Sequence, residues 1–546
     1  MQSLFNYTKR LLSYKWSTPI ILCIAVAVKM SLQLTFFNII GDKSSQLLAA
    51  KNFLEGNGLT IKKVLLTDLS SEVFTPLVGW PPGYSVVVAP LLWLFNGDYK
   101  TAALVFDLIA VLPFFLFLLL LLNYLSLQKW LKNLMILFVS FFIYPIDPST
   151  CTDLISLSCM LAGFYYFLQL MQGEKKISSL ILTACFFFFM TGFFRYNYIP
   201  VALCTPVLLG IAGYINKNKH WLKFSIYTGL ILSALFVTLL VFQDYYTGSP
   251  AYVNTRETGF FPENLLTMYP IVPASFIDVQ IVLTVFTNFT GTNYFTNGKI
   301  LLYSGYLLFL FLIIFVSGWL LNKKLLLKSK EDYFVYLGTG ISSVIIGLLF
   351  YLSARNSANL SPFFPLWTYI QEFRYFIFVV LFIQLSAFVL LFNRFTQLSR
   401  FWKKIAVVCA AVILVQFLHK LYYVTKLLTN LKEPHNSSAV FTNEISAIVR
   451  NFKTIENQYP GYEIIVASPS NTICNYAGFE NIKAAYIPYP FTNTFSFSST
   501  KPAKVILVIP ERMSVYYTPK LPSERKAIDK TEKQYFYLLD VIPKQR

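Results

Sequence analysis

Asp42 stands in Ile39-Ile40-Gly41-Asp42-Lys43, at the end of the first long apolar run. A carboxylate at a membrane boundary, after a glycine and before a helical stretch, is placed to accept a proton from a hydroxyl as that oxygen attacks an electrophile. The same place also suits the N-cap of a helix starting near residue 43, or a solvated boundary charge. Arg195, in Phe193-Phe194-Arg195-Tyr196-Asn197-Tyr198, falls at the turn between two short apolar runs, and Arg355 and Arg374 bracket the stretch 353–374. Guanidinium groups there suit a phosphate, whose oxygens their paired N–H donors match. The alternatives are interfacial anchoring by snorkelling, or pairing with Glu372 or another acid on the same side. Lys62 and Lys63 are phosphate candidates on charge alone, and exposed loop lysines are common.

Charges inside apolar runs are costly unless paired or functional, and Lys29 and Asp107 are two such charges. Counted by helical rise, Lys29 lies ~15 Å and Asp107 ~10 Å below the boundary, a gap that a lysine stem can close. A Lys29–Asp107 ion pair is therefore expected, with proton or ion coupling as the alternative. Asp153, in Ser149-Thr150-Cys151-Thr152-Asp153-Leu154, reads as a helix-start cap. The seven cysteines contain no CxxC pair and the three histidines show no ligand spacing, so neither a disulfide framework nor a metal site is indicated.

These residues need a membrane-embedded frame. Of 546 residues, 56% are hydrophobic and 13% charged, against about a quarter charged in soluble proteins. The apolar runs are long enough to cross a ~30 Å hydrocarbon layer at ~1.5 Å per residue. Eleven spans are expected, at 19–40, 101–123, 134–146, 154–171, 178–194, 197–213, 222–243, 300–321, 333–352, 375–392 and 405–422. Segments 1–18, 124–133, 172–177, 214–223, 322–332 and 393–404 hold 18 Lys and Arg against Glu174, Glu331 and Asp332, a net of +15. Segments on the other side hold 10 against 12 acids, and the tail from Lys420 holds 16 against 10. The positive-inside rule thus explains most of the formal +19. It sets the N-terminus in the cytoplasm and the tail outside, and it leaves no need for a nucleic-acid partner. Ser17-Thr18-Pro19 opens a retained signal-anchor helix.

The segment 41–100 is far longer than a connector needs. Residues 43–55 set Leu47, Leu48, Ala50, Phe53 and Leu54 against Lys43, Ser44, Lys51, Asn52 and Glu55, which reads as an amphipathic helix in the interface plane, ended by Gly56 and Gly58. Trp80-Pro81-Pro82-Gly83-Tyr84 turns the chain, and 85–95 is apolar but short, as is 276–286 within the second large outer segment, 244–299. A site between these two loops would open sideways to lipid and suit an amphiphilic substrate. In the tail, helical text at 441–457 alternates with strand-like runs at 463–468, 504–510 and 535–542. The expected fold class is an all-α polytopic membrane protein over 1–424, with a small α/β extracytoplasmic domain over 425–546.

The order of these features resembles the type C glycosyltransferases, and within them the polyprenyl-phosphate-sugar-dependent branch that includes protein O-mannosyltransferases and the aminoarabinose transferase of lipid A. The matching text is Asp42, the helix ending in Glu55-Gly56, Trp80-Pro81-Pro82-Gly83-Tyr84, Thr152-Asp153-Leu154, Phe194-Arg195-Tyr196-Asn197-Tyr198, Glu372-Phe373-Arg374-Tyr375 and the tail run Ala467–Gly478. The resemblance implies that Asp42 is the base that activates an acceptor while a polyprenyl phosphate leaves, with inversion at the sugar. It implies that Arg195, Arg355, Arg374, Lys62 and Lys63 steady the lipid phosphate. Tyr84, Glu372 and Tyr375, within the matching motifs, join the expected substrate-binding set. The partners so implied are a polyprenyl-phosphate sugar and a lipid, glycan or protein acceptor at the inner membrane. Relatives often carry a second acid after the first, where this chain has Lys43. A second carboxylate is then either unnecessary or supplied from elsewhere, so a divalent metal remains open without support from the sequence, and no other cofactor is indicated.

Two other classes share some of these features. A transporter or lipid-linked-oligosaccharide flippase would show internal repeats and more mid-membrane polar residues, and no repeat is found. A glycan polymerase or ligase would need basic outer loops but would place its chemistry in a late loop.

Overall fold

The computed structural model describes residues 11–35, 37–39, 41–66, 68–141, 152–173, 177–247, 329–355, 377–393, 395–429, 437–487, 499, 502–511, 526–530 and 534–541. Of the expected spans, 300–321 lies outside them.

The first helix, α1 (Ser17–Thr35), is apolar along its length. Gly41–Leu54 forms α2, and Gly56 and Gly58 end it in the left-handed region at φ 82° and 70°. An antiparallel hairpin follows, β1 (Thr60–Leu65) with β2 (Asp68–Pro76). Next come α3 (Gly83–Leu94), α4 (Tyr99–Ile109), α5 (Val111–Tyr124), α6 (Lys129–Phe141), α7 (Asp153–Gln172) and α8 (Ile177–Phe194). A short 3-10 turn, Tyr196–Tyr198, leads into α9 (Ile199–Ile215), with α10 (Lys219–Thr247), α11 (Lys330–Arg355) and α12 (Ile377–Ser386) after it. The last long helix before the tail is α13 (Arg400–Thr429).

Among the described residues seven helices are long and apolar enough to cross a membrane, at Ser17–Leu34, Tyr99–Tyr124, Asp153–Gln172, Ile177–Phe194, Tyr196–Ile215, Lys219–Tyr245 and Lys330–Leu349. Each coincides with an expected span. The chain is a mostly helical, multi-pass membrane protein. The span expected at 134–146 meets only the 13-residue α6, and 375–392 is a shorter apolar helix whose last turns, Ala387–Phe392, are π-helical. At 12 residues, α3 covers ~18 Å and cannot cross, as its length in the sequence suggests.

The tail forms α14 (Ser437–Gln458), β3 (Glu463–Ser468), α15 (Asn471–Phe479), β4 (Lys483–Tyr486), β5 (Ala503–Pro510), β6 (Lys526–Lys530) and β7 (Gln534–Val541). The strand order is β4-β3-β5-β7-β6, parallel across β4, β3 and β5 and antiparallel beyond. Every residue of β5 is buried because both sheet faces are covered. With the period of two of a strand, Ile506 and Val508 meet Ile448, Phe452 and Ile455 of α14 and Ile473 and Ala477 of α15. Val505 and Leu507 share the other face with Val64 and Leu69. The first large loop thus supplies the cover for one face of the tail sheet.

The membrane helices bury one large apolar core, and a second cluster joins Ile39, Leu47, Tyr84, Phe106, Cys159, Phe194, Tyr476 and Phe479. Within the Trp80–Tyr84 motif the glycine is required by close approach. A Cβ at Gly83 would sit 2.5 Å from the Phe193 carbonyl oxygen, which is backbone and cannot turn aside, whereas one at Gly79 would meet nothing within 4 Å. Gly83→Ala is expected to cost about 1–3 kcal/mol and to displace the end of α8 that carries Arg195, while Gly79→Ala leaves stability unchanged. Thermal unfolding of the two purified variants checks this, and equal melting temperatures would contradict it.

Candidate functional site

Asp42 is held by the turn from α1 into α2. Gly41 adopts φ 52°, a conformation that glycine reaches without strain. Its N–H donates to Thr472 Oγ1 at 3.0 Å, and two residues earlier the Ile39 carbonyl accepts from Tyr476 Oη at 2.7 Å. Ser44 Oγ donates back to the Gly41 carbonyl at 2.8 Å, and Asn475 Nδ2 donates to Ser44 Oγ and Ser45 Oγ at 2.9 and 3.0 Å. Asp42 itself is half-buried in the first turn of α2, where a carboxylate is favoured by the helix dipole. The helix therefore begins two residues before the start anticipated, and Asp42 lies inside it.

Beyond that first turn α2 is buried on its polar side as well, at Lys43, Ser44, Ser45, Gln46 and Asn52, while Phe53 and Leu54 are exposed. This corrects the expectation of an interfacial helix with one face in water. The polar face is covered by α15, and Ser85 Oγ of α3 donates to the Gln46 carbonyl at 2.8 Å.

The expected Lys29–Asp107 pair is replaced by Lys43–Asp107, a buried ion pair in which Lys43 also lies 4.8 Å from the Phe37 ring centroid. Straight spans normal to the membrane would have put Lys29 nearer. Instead Lys43, at the start of α2, reaches Asp107 of α4 beside the apolar cluster to which both helices contribute. Lys29 is wholly buried elsewhere.

Arg195 caps the 3-10 turn with extended backbone at φ −148°, and its N–H donates to the Thr191 carbonyl at 3.0 Å. Its side chain pairs with Asp153, both largely buried at 12% and 1% exposed. Asp153 is the first residue of α7, after the N-cap Thr152. Phe194, next to Arg195, belongs to the same apolar cluster as Ile39, three residues before Asp42. Tyr84 is wholly buried in that cluster, with its ring 4.8 Å from that of Phe106, a packing position.

Lys62 and Lys63 face the tail. Together with Lys51, Glu55, Asn481 and Lys483 they line a cleft between α2, β1 and β4. Lys62 bridges Glu72 at 2.8 Å, and Lys483 bridges Glu463 at 2.5 Å. Lys51 Nζ donates to the Gly478 and Phe479 carbonyls and to Asn481 Oδ1, at 2.9, 3.1 and 2.6 Å, capping the end of α15. Lys63 lies 5.4 Å from the Tyr486 ring centroid, and burial lowers its pKa from the usual 10.5, whereas burial pushes the neighbouring Cys474 thiol up to about 12. Arg355 is the last residue of α11, and Glu372, Arg374 and Tyr375 lie outside the described residues. Among the described residues no three of His, Cys, Asp and Glu gather as a metal site. Sequence reasoning missed Thr472, Asn475 and Tyr476. The available signal was their i, i+3, i+4 spacing in the run 467–478.

Lys43→Ala would strand the Asp107 carboxylate in apolar surroundings, and is expected to cost about 3–5 kcal/mol, with Lys43→Met plus Asp107→Leu restoring near wild-type stability. Unfolding midpoints in detergent measure this, and a harmless single variant would show that the pair carries no desolvated charge. For Lys63 the sign follows from linkage. Its folded pKa is lowered, so the unfolded chain binds the proton more tightly and the group's contribution to stability rises with pH up to 10.5. Lys63→Met should therefore stabilise the protein at pH 7, by a margin that shrinks as the pH rises toward 10.5. A destabilised variant with a constant margin would mean that a counter-charge holds the lysine.

No family model and no curated protein matches the sequence. Solved structures do. The crystal structure of ArnT from Cupriavidus metallidurans bound to undecaprenyl phosphate is similar with a TM-score of 0.51 at 10% identity, over 96% of this chain and 98% of that one. The apo state of the same protein gives 0.50 at 10% identity, over 95% and 97%. The chain thus shares the fold of these ArnT structures along nearly its whole length.

Proposed function

We propose that the protein is an integral membrane glycosyltransferase that moves a sugar from a polyprenyl-phosphate donor to an acceptor on the extracytoplasmic face of the inner membrane. The observation that carries this reading is the fold shared over 96% of the chain with an ArnT structure that holds undecaprenyl phosphate. Asp42 takes the proton of the acceptor hydroxyl. The freed oxygen attacks the anomeric carbon from the face opposite the lipid phosphate, the carbon–oxygen bond to phosphate breaks, and the polyprenyl phosphate leaves with the electron pair. The sugar is thereby inverted. Arg195, with Arg355 and Arg374, answers the charge that grows on the leaving phosphate. The sidedness is that of the charge count: basic segments inside, Asp42 and the C-terminal unit outside.

Two measurements test the proposal. The purified protein should bind undecaprenyl phosphate and be stabilised by it, and Arg195→Ala should weaken that binding about tenfold or more. Asp42→Asn should keep the binding and the melting temperature, and yet fail to restore the wild-type-dependent glycan when expressed in a strain lacking the protein, read by mass spectrometry of envelope lipids and glycans. Full transfer by Asp42→Asn would remove the base, and a protein indifferent to undecaprenyl phosphate would remove the donor class.

A further inference from the structure

Resting on the reading of Asp42 as the base, we propose that α15 of the C-terminal unit is part of the reaction centre: Thr472 and Tyr476, aided by Asn475, are positioning residues that fix the backbone on which Asp42 is carried.

The three residues lie at i, i+3 and i+4 and so project from one face of α15. Their polar atoms converge on four positions of the α1–α2 turn, 39, 41, 44 and 45. Tyr476 Oη holds the Ile39 carbonyl, Thr472 Oγ1 takes the Gly41 N–H, and Asn475 Nδ2 reaches the Ser44 and Ser45 hydroxyls. Asp42 is thus bracketed on both sides. Asn475 and Tyr476 are each only 1% exposed, so water is poorly placed to replace a lost contact. Gly41, at φ 52°, has no side chain to limit its backbone. Its orientation, and with it the direction in which Asp42 leaves the helix, depends on the Thr472 and Ser44 hydroxyls.

General adhesion between the two helices is supplied at the other end of the contact. There Gly478 lies against Leu48, with an added Cβ only 3.0 Å from the leucine methyls, and Lys51 caps α15 through the Gly478 and Phe479 carbonyls and Asn481. Tyr99 stacks on Phe479 with centroids 4.1 Å apart. Docking would survive loss of the Thr472 and Tyr476 hydroxyls. What those hydroxyls add is position at the base, where a displacement of about 1 Å can cost on the order of a hundredfold in rate.

The test uses the full-length protein with five variants: Thr472→Val, Tyr476→Phe, their combination, Thr472→Ser, and Asn481→Gly as the control at the adhesive end. Three quantities are read: amide exchange across residues 39–46, stabilisation by undecaprenyl phosphate, and glycan restored in the deleted strain. The combined variant should exchange the 41–44 amides more than tenfold faster and lose glycan transfer by about tenfold or more, while undecaprenyl phosphate still stabilises it as it does the wild type. Thr472→Ser should restore transfer, and Asn481→Gly should transfer normally. Wild-type transfer by the combined variant, alongside an inactive Asp42→Asn, would overturn the positioning role and leave the base assigned. A loss in Thr472→Val that Thr472→Ser shares would also overturn it, because a general folding defect then explains the loss. Were Asp42→Asn itself fully active, the base assignment would fall, and unchanged exchange at 39–46 would separately dismiss α15 as the holder of that turn.

Discussion

A helix rich in small polar residues, buried on nearly every side, is the constraint on which the membrane-facing half of this protein depends. Lys43, Ser44, Ser45, Gln46 and Asn52 of α2 are all removed from water, and each buried polar group left without a partner costs about 1–3 kcal/mol. Most of these partners come from distant parts of the chain. Asp107 of α4 answers Lys43, Asn475 of α15 answers Ser44 and Ser45, and the Thr60 carbonyl at the start of β1 accepts from Asn52 at 2.7 Å. The α2 fold is therefore complete only when the C-terminal unit is in place. The reverse also holds, since the hairpin after α2 covers one face of the tail sheet through Val64 and Leu69. A single cooperative assembly runs from the first span's exit to the last strand.

The buried charges obey the same economy of partners. Arg195 and Asp153 meet where α8 ends and α7 begins, and both ends are drawn into the cluster that holds Tyr84 and Phe194. Two properties follow for the proposed reaction on a lipid phosphate. The guanidinium is held rigidly by a carboxylate that is itself set at a helix start, where the dipole favours it. Its charge is partly answered by Asp153, so the phosphate contact proposed for Arg195 would rest on directed N–H donors more than on net attraction. The lysines of the cleft are arranged differently. Lys62 and Lys483 share Glu72 within bridging distance, and the two cations hold that carboxylate below its usual range against the opposing effect of burial. They join loop to tail.

What could be read from the sequence was whatever depends on one segment at a time. Hydropathy and charge alternation located the seven long spans because crossing lipid imposes length and apolarity on each helix alone. The strands β3, β5 and β7 were legible as short runs of aliphatic and aromatic residues, and β5 gave the tail core. The burial of α2 was not legible. Serines that face another helix look the same in a sequence as serines that face water, and the asparagine that Ser44 and Ser45 meet lies about 430 positions away. Of the apolar half, Leu47, Leu48 and Ala50 are buried against protein, while Phe53 and Leu54 are exposed. The hairpin 60–76 escaped notice because its turn near Leu66 has neither the glycine nor the asparagine that marks tight hairpins. Asp42, by contrast, was found from its place after the first span, and the groups that hold it were not.

Lys43 shows how a departure from a family pattern can be absorbed by geometry. A cation directly after the proposed base would, if it turned toward the same space, compete for the carboxylate. One residue further along a helix turns the side chain by about 100°, a rotation that follows from 3.6 residues per turn. Lys43 is thereby directed into the protein, onto Asp107, while Asp42 stays half-exposed. The carboxylate that partners Lys43 comes from α4 in place of a neighbour in sequence, and the ion pair adds no net charge to the start of α2. The substitution thus changes what supports the turn and leaves its outward face to a single acid. A second acid at position 43 would have no cation to meet at Asp107 and would set two buried carboxylates against each other, so in this chain the identities of residues 43 and 107 are tied.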